Sequence, residues 1–63
     1  MGKRGNGYMK YVLRNEYGAF RARKGYGAPY ARNLISALVF ESKEEAKQKR
    51  GIFETIVPLD NYR

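Results

Sequence analysis

Sixty-three residues make one domain at most, and a domain of that size buries only about 60% of the surface its unfolded chain exposes, so marginal stability is expected. With no cysteine and no histidine, disulfides, thiolate nucleophiles, both usual zinc ligands and the commonest general base are excluded, and an intracellular, reducing compartment is the default. The net charge of +7 is confined to residues 1–40, where Lys3, Arg4, Lys10, Arg14, Arg21, Arg23, Lys24 and Arg32 face one acid, Glu16, whereas bases and acids balance over residues 41–63.

That asymmetry points to a polyanionic partner, either nucleic acid or an acidic protein surface, and to the first part of the chain as the contact. The apolar runs, such as residues 34–40, are far short of the roughly 20 residues needed to cross a bilayer, so no membrane partner is expected. No apolar stretch follows the basic N-terminus as a signal peptide requires, which favours a cytoplasmic protein.

Residues 1–7 hold three glycines and two bases with nothing to bury, and are expected to form a flexible N-terminal arm. Residues 8–59 are expected to be a single α+β domain, with residues 60–63 as a tail. Over residues 8–14, Met9, Tyr11 and Leu13 alternate with Lys10, Val12 and Arg14. Residues 19–24 repeat the alternation, and Asn15-Glu16-Tyr17-Gly18 supplies turn chemistry between them, so the two runs are expected to pair as a hairpin.

Gly25-Tyr26-Gly27-Ala28-Pro29 is a loop, because two glycines and a proline break either regular structure. Residues 30–32 suit a short strand, Asn33 caps one helical turn, and residues 38–40 suit another short strand. Ser42 followed three residues later by Glu45 is a capping box. The helix it opens is expected to run from residue 43 to about residue 50, with Ala46 inward, Lys47, Lys49 and Arg50 in its last turn, and Gly51 as a left-handed C-cap. Residues 52–57 are rich in β-branched and aromatic residues and are expected to form the last strand, ended by Pro58. The expected fold class is α+β: a small antiparallel sheet of three to four strands with one main helix packed on one face.

Strict alternation in the hairpin turns Tyr11, Leu13, Phe20 and Ala22 toward the helix. It gathers Lys10, Arg14, Arg21 and Arg23 on the solvent side, with Tyr8 at the edge. Like charges on adjacent strands repel, and a phosphate backbone would relieve them; the alternative is a solvated polar face. A second constellation spans residues 23–32, where Arg23, Lys24 and Arg32 flank Tyr26 and Tyr30, an arrangement suited to stacking a base while cations hold phosphates. Its structural counterpart is a long connection whose tyrosines fold back, with Tyr30 in a core position. Tyr11 and Tyr17 suit packing, and Tyr8, Tyr26 and Tyr62 suit contact.

Gly25-x-Gly27 lacks the third glycine and the following helix of a dinucleotide fingerprint, and no P-loop is present, so no cofactor or metal is expected. Glu44 and Glu45 serve the helix start, Glu41 and Glu54 are placed on exposed strand positions, and Asp60 falls in the tail. Ser36, Ser42 and Thr55 have no histidine to activate them, although a lysine base stays formally open. A non-enzyme is expected.

Tyr11-Val12-Leu13-Arg14, Asn33-Leu34 with Ala37-Leu38-Val39-Phe40, Ser42-Lys43-Glu44-Glu45-Ala46, and Ile56-Val57-Pro58-Leu59 together resemble a recurrent pattern in small, mostly uncharacterised bacteriophage proteins. The likeness covers residues 11–59 and rests on apolar, fold-specifying positions. It implies a phage-type accessory protein acting in the host cytoplasm, and brings no catalytic residues. The loop of residues 25–29 and the strong positive charge are not part of that pattern. Two functions follow as expectations: nucleic-acid binding, DNA or RNA, through the basic face and loop, or a module that inhibits or redirects a host protein through an acidic patch on it. Either a monomer or a homodimer is consistent with the thin helix face.

Overall fold

The computed structural model describes residues 10–62, with side chains described for residues 10–60. The expected arm of residues 1–7, Tyr8, and the side chain of Tyr62 lie outside what is described. In chain order the elements are β1 (Tyr11–Arg14), β2 (Phe20–Arg21), β3 (Tyr30–Ala31), a 3₁₀ helix (Leu34–Ser36), α1 (Lys43–Lys49), β4 (Thr55–Pro58) and a second 3₁₀ helix (Leu59–Tyr62). The sheet runs β3-β2-β1-β4 with every neighbouring pair antiparallel. This is the α+β fold anticipated from the sequence.

The hairpin turn decides the register of everything around it. Asn15 N–H donates to the Ala19 carbonyl at 2.8 Å and Gly18 N–H to the Asn15 carbonyl at 3.1 Å, while the Asn15 side chain accepts from the N–H groups of Tyr17 and Ala19. Gly18 has φ +86°, the left-handed residue that closes a three-residue hairpin loop. Arg14 therefore stands opposite Phe20, and the same register sets Leu13 opposite Arg21. The alternation expected from the sequence puts Phe20 on the face of Leu13, one residue away from this pairing. Because the side-chain period is two, that single step turns all of β2 over.

As a result β1 is buried on both sides, with Val12 and Leu13 at 0% exposure. Val12, Phe20 and Ala37 form one cluster with Leu34, Val57 and Leu59. Leu13, Phe40 and Ala46 form the other, beneath α1, with Tyr11, Leu38 and Ile56. Burying a side chain such as Leu13 completely contributes about 1.5–3 kcal/mol.

Residues 38–40 do not form the expected strand: Phe40 makes an isolated bridge with Tyr11, and Ala37, just before them, makes another with Ala22. The β1 and β2 ladder is limited to Arg14 and Phe20, and residues 37–40 reach across to both strands, Leu38 N–H donating to the Arg21 carbonyl and Phe40 N–H to that of Tyr11.

Helix α1 starts as its capping residues require, with Ser42 Oγ accepting from Glu45 N–H. The Glu45 carboxylate reaches back one residue further than in the standard box, to Glu41 N–H. The helix ends differently from expectation. Arg50 is extended at φ −65°, ψ 131°, and Gly51 is not among the glycines with positive φ. Gly51 matters for space: a Cβ there would stand 3.3 Å from Glu54 Oε1.

Candidate nucleic-acid interface

Glu54 organises the helix-side face of the sheet at the end where β4 begins. Although the sequence places it on an exposed strand position, it is 3% exposed. Its carboxylate accepts from Arg21 Nε at 2.9 Å and Nη2 at 2.8 Å, from Gly51 N–H at 2.7 Å, and from the Tyr30 hydroxyl. Arg50 Nη1 donates to its backbone carbonyl at 2.9 Å. Burial by itself disfavours the charged carboxylate, but the Tyr30 hydroxyl, the Gly51 N–H and the Arg21 guanidinium together outweigh it and hold Glu54 below the usual carboxylate range. The same bond to Glu54, aided by burial, pushes the Tyr30 hydroxyl above its ordinary value. Arg21 also lies 5.8 Å from the centroid of the Tyr30 ring, within cation–π range.

This network corrects the solvent-face expectation for Arg21. Its side chain points to the α1 side, where Glu54 neutralises it, so it is a structural tie between β2, β3 and the turn that leads into β4. Lys10 is also paired, to Glu41 at 3.2 Å, but both side chains are largely in water. Tyr30 is half-buried, close to the core position expected of it. Tyr17, assigned to packing by the sequence, is 79% exposed, because the hairpin turn carries it outward.

Arg14, Arg23, Lys24 and Arg32 are exposed, and no acid among the described residues forms an ion pair with them. They do not share one face. Thr55, Arg14, Phe20 and Ala31 form a row across all four strands, so Arg14 and Arg32, next after Ala31, lie at the end of the sheet that carries the hairpin turn. Arg23 and Lys24 lie at the opposite end of β2. There the whole of residues 23–29 is exposed, with Gly25 and Gly27 at φ +86° and +96°. Tyr26 is 38% exposed on that loop, and its N–H donates to the Arg23 carbonyl at 3.2 Å.

Two further exposed side chains stand near the Arg14 end without any cue from alternation. Ile52 is 85% and Phe53 69% exposed, on a tight turn rather than in the strand expected over residues 52–57. Glycine three residues before a glutamate is the sequence signal for that turn, since the carboxylate can close it on the glycine N–H.

No protein-family model matches the chain, and neither a curated protein nor a solved structure matches it. Among the described residues, no helix is long and apolar enough to cross a membrane.

Proposed function

We propose that this protein binds nucleic acid through its phosphates, using cations at both ends of the β2 and β3 ribbon instead of one continuous sheet face. The observation that carries this reading is the exposure of Arg14, Arg23, Lys24 and Arg32 with no acidic partner among the described residues. Exposed like charges repel one another in the free protein and release counterions when phosphates replace water around them. Arg14 and Arg23 lie about three strand residues apart along the ribbon, or about 10 Å, comparable to three nucleotide steps of one B-form strand. β3 is one of the two edge strands, and among the described residues it pairs only with β2. Tyr26 beside Arg23 and Lys24 supplies a ring on which a base can stack.

Fluorescence polarisation on labelled duplex and single-stranded oligonucleotides at low salt tests the proposal. Four phosphate contacts give a log-log salt slope of about −3 to −4, and replacing Arg23 and Lys24 together by alanine should reduce its magnitude by about two. Lys10→Ala should change it little, because Lys10 is already engaged by Glu41. Absence of binding at micromolar protein, or a slope indifferent to the Arg23 and Lys24 replacement, overturns it.

A further inference from the structure

We infer that the turn of residues 51–54 is a wedge that presses Ile52 and Phe53 into a base step of the bound nucleic acid. The inference rests on the nucleic-acid reading above and extends it to an element that carries none of the four cations on which that reading depends.

Two large apolar side chains held in water weaken solubility and contribute nothing to either core cluster. Their presentation is nonetheless fixed with unusual care for a surface turn. Glu54 N–H donates to the Gly51 carbonyl at 3.2 Å, the Glu54 carboxylate takes the Gly51 N–H, and Arg50 holds the Glu54 carbonyl. The carboxylate is itself locked by Arg21 and Tyr30. Ile52 and Phe53 thus project from a turn that is hydrogen-bonded at both ends to a buried network.

The surrounding charge selects the occupant. Thr55 of β4 stands opposite Arg14, so the turn adjoins the end of the sheet that carries Arg14 and Arg32, and Lys49 and Arg50 immediately precede it in the chain. Apolar wedges flanked by cations are how proteins unstack a base step: phosphates fix the position while an inserted side chain replaces the stacking that is lost. A lipid surface is the weaker fit, because interfacial anchoring uses a long apolar helix face or acyl chains, and two side chains on a turn supply far less apolar area.

The test uses short duplexes bearing aminopurine, whose fluorescence rises on unstacking, with the full chain and the double variant Ile52→Ser, Phe53→Ser. Both side chains are exposed, so the variant should fold as the parent does, which circular dichroism checks. The parent should raise the fluorescence; the variant should lose that rise and bind roughly 10-fold more weakly, with the salt slope unchanged. If the parent binds with the expected slope but gives no fluorescence rise, or if the variant behaves as the parent does, the wedge is wrong and the phosphate-binding proposal survives. If the parent does not bind at all, both fail. Vesicles containing phosphatidylserine provide the remaining arm: loss of vesicle binding in the variant with unaltered DNA binding reassigns the turn to a membrane surface and overturns the wedge.

Discussion

Arg21 and Lys10 both end on a glutamate, yet the two pairs do different work. The side chain of Glu54 is 2% exposed and that of Arg21 31%, whereas Glu41 and Lys10 are 74% and 44% exposed. The inner pair is completed by a hydroxyl and a backbone N–H and joins β2 and β3 to the turn after α1. The outer pair is in direct contact at 3.2 Å but lies at the surface, where solvent screens it and it contributes little to stability. Formal charge and available charge therefore separate: Arg21 is withdrawn from the surface, Lys10 is engaged by Glu41, and Arg14, Arg23, Lys24 and Arg32 are exposed with no acidic partner among the described residues.

Removing Glu54 should break this contrast most severely. Glu54→Ala leaves the Tyr30 hydroxyl, the Gly51 N–H and a partly buried guanidinium without their acceptor. Breaking a buried pair costs about 3–5 kcal/mol, and the partial exposure of Arg21 places this case near the lower end. Urea denaturation should show a large loss of stability or outright unfolding, and a change below about 1 kcal/mol would mean that the network is not a tie.

Next in size is acid sensitivity. The folded-state value of Glu54 lies below its unfolded one, so its stabilisation is complete above the ordinary carboxylate range and drains away as pH falls through that range to the lowered value. Tyr30 runs the opposite way. Its folded value is raised, so its contribution is complete below the ordinary tyrosine range and is lost as pH rises through the raised value. Glu54→Gln should flatten the acid limb of a stability-against-pH curve.

Tyr30→Phe sharpens the comparison further by deleting one donor while sparing the ion pair. The loss should be about 1–2 kcal/mol by denaturation, since Arg21 and Gly51 still satisfy the carboxylate. The smallest effect belongs to the outer pair: Lys10→Ala should cost no more than about 1 kcal/mol, and that cost should shrink at high salt.

How far the sequence reaches is clear from particular residues. Ser42 and Glu45 announce the start of α1 because a cap is satisfied within one turn, and Asn33 announces its 3₁₀ helix for the same reason, accepting from Ser36 N–H at 2.9 Å. The strands of the sheet are legible in the alternation and in β-branched residues such as Val57. The orientation of β2 is not, because it depends on whether Gly18 enters the left-handed region and sets a three-residue loop. Alternation alone fits either phase.

Charge, turn chemistry and helix capping are local, and the sequence by itself determined them: a basic first part, a hairpin, a loop at residues 25–29 and one short helix. Which cations stay in water was decided only by tertiary structure. Glu54 and Arg21 are 33 residues apart in the chain, and they meet because β4 folds back onto β1 while the hairpin register turns Arg21 toward the helix. A buried carboxylate collects its partners from wherever the fold brings donors, and no local pattern names them in advance.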